Sequence, residues 1–352
     1  MQYTTFGRTT GLRVSEVALG AGTFGNRALP GTEPEEARRI VDRFADAGGT
    51  FIDAAESYQA GEAEEILGDV LTGRRDRFTL ATKFAFGTGG EPGTLGVGNS
   101  RAKMRRAVED SLRRLRTDRI DLLWVHLPDT VTPTDEIVRS LDDLTRQGKI
   151  LHAGFSNFPA WRTARAAALA EVRGSTPLVG VQFEYSLVER TADREILPMA
   201  EALGLGGALW SPLGGGLLTG KYRTGSQGRL TDWAGFVLQK EDSGYKTAVV
   251  DAVLDVAAKT GLPAAQVAVA WVRAFAARAA TPLVPVIGPR TLAQLDDYLA
   301  ALDVRLDPEH YDRLDAVSRV PLGQPHQLIA DSLPRVLGTD PARFRTPVHP
   351  VA

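Results

Sequence analysis

The stretch that decides the fold is Gly49-Thr50-Phe51-Ile52-Asp53-Ala54-Ala55-Glu56-Ser57-Tyr58, in which a short apolar run ends at an acid and the following loop carries a tyrosine. Two further apolar runs end in the same way, residues 78–82 before Lys83 and residues 120–125 before His126. In a parallel α/β barrel the carboxyl ends of successive strands converge on one rim, which carries the chemistry. We therefore expect an acid, a phenol, an amine and an imidazole to meet there and to form a proton-transfer site.

Strand and helix patterns alternate along the chain and predict a closed barrel. The expected strands cover residues 17–20, 50–53, 78–83, 120–126, 150–155, 178–185, 205–210 and 283–287. The expected helices cover residues 34–47, 62–71, 100–115, 159–171, 193–203, 246–259, 264–275 and 291–299, with one more opening at Thr132-Pro133, read as a cap and a first-turn proline. Eight strand-then-helix units favour a single (β/α)8 TIM barrel, formed by one domain of residues 1–352.

Three segments lie outside this repeat. Residues 2–16 predict a two-stranded hairpin, with a turn at 9–11, that closes the bottom of the barrel. A long loop after the seventh strand, between residues 219 and 245, contains Trp233 and Phe236 and has the length typical of a lid. The tail of residues 319–352 is rich in proline and is predicted to be irregular and to fold over the rim.

Composition excludes several classes of function. Lys plus Arg (41) nearly balances Asp plus Glu (43), so we expect neither nucleic acid nor an anionic membrane as the main partner. The absence of cysteine excludes disulfides, thiolate nucleophiles and thiolate metal sites, and no metal site is predicted. No signal peptide is visible, and no apolar run approaches the roughly 20 residues that span a bilayer. The expectation is a cytoplasmic protein.

A glycine motif offers an alternative fold. Gly20-Ala21-Gly22-Thr23-Phe24-Gly25 matches G-x-G-x-x-G after a strand, with an acid further on at Asp53. The dinucleotide fingerprint also requires a helix to open at once, so that its amino terminus can hold the pyrophosphate. Here Pro30-Gly31 predicts a turn instead. The doubly wound sheet is therefore the second choice.

A set of motifs runs in a fixed order from about residue 2 to residue 302. It comprises the stretch quoted above and Glu65 with Leu67-Gly68, Ala81-Thr82-Lys83, residues 121–126, Gly148-Lys149-Ile150, residues 154–158, Gln182 with Tyr185-Ser186, Trp210-Ser211-Pro212-Leu213, Gly220-Lys221-Tyr222 and residues 288–295. This set resembles the aldo-keto reductase superfamily, in the branch that includes the potassium-channel β subunits. The resemblance implies a (β/α)8 barrel that binds an extended nicotinamide dinucleotide. It also places Asp53, Tyr58, Lys83 and His126 on the catalytic tetrad, with Tyr58 as proton donor.

The four residues suit carbonyl reduction on chemical grounds. Hydride addition leaves a developing alkoxide that needs a proton, and a tyrosine with a pKa near 10 is a poor acid unless a cation lies beside it. Lys83 can supply that cation, Asp53 can keep Lys83 charged, and His126 can orient the carbonyl. Taken singly, each residue has a plainer interpretation as a loop, surface or core residue; their joint occurrence in order favours the site.

The resemblance also implies a cofactor site. Ser156, Asn157 and Gln182 are expected to bond the nicotinamide carboxamide and Trp210 to stack on its ring. The glycines at 214–216 and Lys221 are expected to hold the pyrophosphate, Arg290 the 2′-phosphate and Gln294 the adenine. The remaining cofactor contacts are assigned to Gly22, Thr23, Phe24, Asp53, Ser211, Pro212, Leu213, Gly215, Gly288 and Asp297.

The functional expectation is an NADP(H)-dependent oxidoreductase that acts on a small aldehyde, ketone or sugar. Many relatives carry Asn where this chain has Tyr298, so we expect only a modest preference for NADP, with NAD also usable. A nicotinamide-binding regulatory subunit on the same fold is the alternative. The prediction leaves open a monomer or a homo-oligomer.

Overall fold

A short hairpin precedes the barrel and closes its amino-terminal end. The computed structural model describes residues 1–89, 93–225, 228, 233 and 239–343. Strands β1 (Tyr3–Thr5) and β2 (Arg13–Ser15) pair in antiparallel fashion, and Phe6 between them is fully buried. Its ring centroid lies 5.5 Å from that of Phe51 and 5.9 Å from that of Trp124, so it fills the barrel from below. The predicted position of the hairpin is confirmed.

Eight parallel strands of the described residues close into the barrel. They are β3 (Ala18–Gly20), β4 (Phe51–Asp53), β5 (Thr79–Phe84), β6 (Ile120–Val125), β7 (Ile150–Ser156), β8 (Leu178–Glu184), β9 (Gly206–Trp210) and β10 (Leu283–Ile287). Neighbours in sequence pair with one another, and β10 pairs with β3 to complete the ring. The strands are buried almost throughout, as their near-continuous apolar runs predict. The (β/α)8 prediction is confirmed.

Helices surround the strands. They are α1 (Pro34–Asp46), α2 (Glu62–Val70), α3 (Arg101–Leu115), α4 (Thr134–Arg146), α5 (Ala160–Arg173), α6 (Ile196–Leu203), α7 (Gly244–Thr260), α8 (Ala264–Ala276), α9 (Leu292–Ala300), α10 (Pro308–Ser318) and α11 (His326–Leu337). Ser100 caps α3 by accepting a hydrogen bond from the Lys103 backbone N–H, and Thr291 caps α9 in the same way. Among the described helices, none combines the length and apolar composition that a bilayer-spanning segment requires.

Two predicted helix beginnings are displaced. Pro133 occupies the N-cap of α4, and the Thr132 hydroxyl that was expected to cap the helix donates to Asp129 instead. The helix expected from residue 193 begins at Ile196, because the Asp193 carboxylate is already held by Tyr185 and Arg190. Both errors arise from side-chain contacts that periodicity does not report.

The prediction of an irregular tail is wrong for residues 326–337, which form α11. Pro334 lies inside this helix, and the prolines around it concealed its periodicity. The tail contacts the beginning of α6, where Arg194 donates to the Pro321 carbonyl and His326 bonds Glu195. Residues 344–352 lie outside the described residues, as does Phe236 of the long loop.

The glycine motif is not a dinucleotide fingerprint of the doubly wound kind. Strand β3 ends at Gly20, and the next helix begins only at Pro34. The carboxylate of Glu62 accepts hydrogen bonds from the backbone N–H groups of Asn26 and Arg27, where that fingerprint would require a helix. The second choice of fold is thereby excluded.

Candidate active site

A buried lysine joins the tyrosine and the aspartate at the carboxyl ends of β4 and β5. The Lys83 ammonium donates to Asp53 Oδ2 at 2.5 Å, to the Ala54 carbonyl at 2.8 Å and to the Tyr58 hydroxyl at 2.9 Å. Lys83 is fully buried and Asp53 nearly so. The three polar atoms around the ammonium match its three hydrogens, so its position is fixed.

The charge of Lys83 is retained despite its burial. Burial opposes the ammonium, but Asp53 and the Tyr58 hydroxyl outweigh it, and the pKa of Lys83 lies above its ordinary value. A permanent positive charge therefore lies within hydrogen-bonding distance of the phenolic oxygen of Tyr58. Such a charge stabilises the ionised form of a phenol and makes it a better proton donor.

His126 stands beside Tyr58 and is held neutral. The two ring centroids are 6.0 Å apart in an edge-to-face arrangement. Burial, and after it the charge of Lys83, keeps the pKa of His126 well below its ordinary value. Its Nδ1 is buried with no hydrogen-bond partner among the described residues, so the ring proton is more stable on Nε2. His126 lines the cavity, where Nε2–H can donate to a molecule bound there.

Two amides and an indole extend the polar network across the barrel. Gln182 Nε2 donates to Asp53 Oδ1 at 3.0 Å, and Trp210 Nε1 donates to Asn157 Oδ1 at 3.1 Å. Asn157 in turn donates to the His126 carbonyl at 3.1 Å. Asn157 and Ser211 both have a φ of +56°, a left-handed conformation that is unfavourable for non-glycine residues and often found at functional sites.

One cavity of about 1100 Å³ opens above these residues. It contains Tyr58 and His126, and most of the predicted cofactor residues line it: Gly22, Thr23, Asp53, Asn157, Gln182, Trp210, Ser211, Pro212, Leu213, Gly215, Lys221, Gly288, Arg290, Gln294 and Asp297. Ligand pockets in proteins have volumes of about 300–1000 Å³, so this cavity is at the upper end of the range.

Two of the residues predicted to contact the cofactor, Phe24 and Ser156, do not line the cavity. Phe24 is fully buried in an apolar cluster with Val41 and Leu295, where an aromatic ring is more stable than at a polar rim. Ser156 is also buried, and its hydroxyl accepts a hydrogen bond from Asn157 Nδ2 at 2.9 Å. Ser156 thus helps to hold the Asn157 side chain in place from the side that faces away from the cavity.

The far end of the cavity is built around the carbonyl of Pro30. Arg290 and Trp233, which are distant in sequence, both donate to this oxygen. The Thr23 hydroxyl donates to the Pro289 carbonyl, which fixes the segment before α9 against the loop after β3. The first turn of α9 and the long loop after β9 therefore meet over the same part of the cavity. Trp233 is one of the described residues of the predicted lid, with residues 219–225, 228 and 239–245.

Sequence reasoning missed other residues of the site. Phe86 lines the cavity and is half exposed, with its ring centroid 4.9 Å from that of His126. Ala28 and Leu29 also line it, as does Tyr298, the position at which many relatives carry Asn. The position of Phe86, three residues after Lys83 and past the end of β5, was a signal that could have identified it.

Comparisons with known proteins agree with this geometry. The model described as Aldo/keto reductase family matches residues 16–319. An uncharacterized oxidoreductase of Bacillus subtilis (strain 168) is 38% identical, over 92% of this chain and 98% of its own. A norsolorinic acid reductase of Emericella nidulans is 34% identical, over 92% and 83%. An NADP(+) aryl-alcohol dehydrogenase of Phanerodontia chrysosporium is 32% identical, over 91% and 87%.

Proposed function

Because this chain belongs to the aldo/keto reductase family, and is thus a nicotinamide-dependent oxidoreductase, we propose that it uses NADP(H) to interconvert aromatic carbonyl compounds and their alcohols, with Tyr58 as the proton donor. The observation that carries the proposal is the Lys83 ammonium, which bonds both Asp53 and the Tyr58 hydroxyl. That arrangement is an acid–base pair poised beside a cavity.

The cavity fits a nicotinamide dinucleotide. Asn157 and Gln182 present amides at the ends of β7 and β8, and Trp210, whose indole N–H is bonded to Asn157, lines the cavity with them. Gly214, Gly215 and Gly216 all have positive φ, and a Cβ on Gly216 would lie 3.0 Å from Lys221 Cε. Side chains are thereby excluded from the backbone that would approach the pyrophosphate, while Lys221 remains beside it.

Side chains of the protein donate the proton and orient the carbonyl. A reduced nicotinamide bound here supplies the hydride. His126, neutral and protonated on Nε2, donates a hydrogen bond to the carbonyl oxygen and orients it. Tyr58 gives its hydroxyl proton to the same oxygen as negative charge develops, and Lys83 stabilises the resulting phenolate. In the oxidative direction Tyr58 takes the proton back from the alcohol.

The substrate side of the cavity supports an aromatic carbonyl over a sugar. Phe86 lines it beside His126, whereas the charged residues Lys221, Arg290 and Asp297 belong to the part assigned to the cofactor. An apolar wall binds rings and rejects a polyol, which would lose hydrogen bonds with water. The relatives named for aryl alcohols and for norsolorinic acid point the same way.

The preference for NADP rests on Arg290 at the amino terminus of α9. Its guanidinium lines the cavity close to the capped first turn of that helix. An arginine at the amino terminus of a helix forms a favourable site for a phosphate. The name of the Phanerodontia relative specifies NADP(+), which agrees with this assignment.

Turnover tests the proposal. Purified protein with NADPH should reduce benzaldehyde derivatives steadily, followed by the loss of absorbance of the reduced cofactor, and should act poorly on aldose sugars. Tyr58→Phe should lower kcat by about 10²–10⁴-fold, because it removes the acid and keeps the ring, with NADPH affinity preserved. Tyr3→Phe, which deletes a surface hydroxyl bonded to the Gly48 carbonyl, is the matched control.

Two outcomes would contradict it. Near-normal kcat in Tyr58→Phe would make His126 the candidate acid. Tight binding of NADPH with no steady turnover of any carbonyl would favour the regulatory-subunit alternative.

A further inference from the structure

A second buried ion pair lies just outside the cavity. Glu56 is 2% exposed and Lys103, on α3, is 5% exposed. The Lys103 ammonium donates to Glu56 Oε2 at 2.8 Å. The other oxygen, Oε1, accepts hydrogen bonds of 2.9 Å from the backbone N–H groups of Ala85 and Gly87. A buried carboxylate is costly unless it is paired and hydrogen-bonded, and this one is both.

The backbone that Glu56 holds is strained. Ala85 has a φ of +154°, a region that is nearly exclusive to glycine. Its N–H is bound by Glu56, and its carbonyl accepts from the Gly98 N–H at 2.8 Å. Strain of this kind persists only where surrounding contacts impose it. Glu56 therefore determines the direction in which the chain leaves β5.

Phe86 lies between the two N–H groups that Glu56 binds. It is 49% exposed and lines the cavity, with its ring at 84° to that of His126. An aromatic side chain offered to a cavity at this position presents an apolar surface next to the imidazole that faces the carbonyl. Rings pack favourably on such a surface in offset or edge-to-face geometry.

We propose that Glu56 is a positioning residue for substrate binding: it holds residues 85–87 so that Phe86 forms the wall against which the ring of an aromatic carbonyl compound packs beside His126. Lys103 balances the charge of the carboxylate and keeps it in place. The inference rests on the proposed function, because it assigns the residue that sets the substrate wall of that same site.

The test compares an aromatic and an aliphatic substrate. Glu56→Gln places an amide N–H₂ against the Lys103 ammonium, donor against donor, and should loosen the segment. We expect the KM of benzaldehyde to rise about 3–10-fold, the size of one aromatic contact, while the KM of butanal stays within about twofold. The Kd of NADPH, measured by fluorescence quenching, should not change.

The matched control is a pair of the same chemistry at the opposite end of the barrel. Asp121 accepts hydrogen bonds from Arg75 and from the Leu80 backbone N–H, so Asp121→Asn also disturbs a buried carboxylate that holds a cation and a backbone group. A general loss of stability would appear in both variants. A loss selective for benzaldehyde should appear only in Glu56→Gln.

A double-mutant cycle tests whether Glu56 affects substrate binding through Phe86. Phe86→Leu should raise the KM of benzaldehyde directly. If Glu56 acts through Phe86, adding Glu56→Gln to Phe86→Leu should cause little further loss, because the effects of residues that share one contact do not add. Should Glu56→Gln fail to bind NADPH, Lys103→Met, which removes the cation that keeps the Glu56 carboxylate in place, carries the same comparison.

Additive effects on the KM of benzaldehyde, or equal effects on the two aldehydes, would overturn the inference. A wild-type protein that turns over neither aldehyde would instead contradict the proposed function. The two failures are therefore distinguishable in one set of assays.

Discussion

At the scale of single residues, the site depends on one charge kept where burial disfavours it. The pKa of Lys83 lies above its ordinary value because Asp53 and Tyr58 outweigh its burial. The pKa of His126, in contrast, is well below its ordinary value because burial and Lys83 act in the same direction. The same few contacts thus keep the Lys83 amine charged and the His126 imidazole neutral. Of the two side chains beside the Tyr58 phenol, only Lys83 carries a positive charge.

The pH dependence of reduction should report these states. Because His126 is already neutral, the pH profile of kcat should show no ionisation near pH 6.5. Activity should fall only at higher pH, where Tyr58 loses its proton.

Lys83→Met removes the adjacent charge, so that fall should move to higher pH while the rate drops; Asp53→Asn should do the same less severely. Full pH profiles of kcat, with Lys149→Met at the surface pair with Glu109 as control, provide the check. Unchanged profiles in both site variants would mean that the pair only stabilises the fold.

The direction in which stability changes with pH follows from the same two pKa shifts. A raised pKa means that the contribution of Lys83 is present below the pKa of the unfolded lysine and is lost as pH rises through the folded value. The depressed pKa of His126 means that the unfolded chain binds a proton more readily, so acidification below about pH 6.5 favours unfolding.

At the scale of elements, the ends of strands were predictable and the contacts between loops were not. Asp53, Lys83 and His126 each follow an apolar run whose length fixes where the strand ends, so the topology of the barrel brings them together. The Pro30 carbonyl that receives Arg290 and Trp233 joins segments more than 200 residues apart. No local pattern reports such a contact. A motif position such as that of Phe24 likewise does not reveal which face of a loop a side chain occupies.

The beginning of α9 is the element that should select the cofactor. Arg290→Ala removes a charge-assisted contact worth about 1.5–3 kcal/mol, so NADPH binding should weaken roughly 10–100-fold while NADH binding stays nearly unchanged. Fluorescence titration of both cofactors measures this. Arg305→Ala, beyond the other end of α9, is the control. Since Arg290 also donates to the Pro30 carbonyl, equal losses for the two cofactors would assign it to the loop and not to the 2′-phosphate.

At the scale of the whole molecule, the cavity joins parts of the chain from Gly20 to Tyr298. Segments after β3, β4, β5, β6, β7, β9 and β10 and the end of β8 contribute to it, as the convergence of strand ends in a barrel requires. A ligand that fills it contacts all of these segments at once. Binding should therefore stabilise the fold as a unit, because the unfolded chain offers no such site.

Thermal unfolding should display this coupling. NADPH at 100 times its Kd adds about 2.7 kcal/mol to the folded state. For a chain of 352 residues the unfolding entropy is roughly 0.7 kcal/mol per kelvin, so Tm should rise by about 4 °C. In Arg290→Ala the same concentration of NADPH is only about 1–10 times Kd, which reduces the rise to about 0.5–2 °C, whereas NADH should raise Tm equally in both proteins. Calorimetry with each cofactor measures the four shifts. A wild-type Tm that does not respond to saturating NADPH would mean that the cavity is not the nicotinamide site, since no ligand can contact this many strand ends without stabilising the barrel they form.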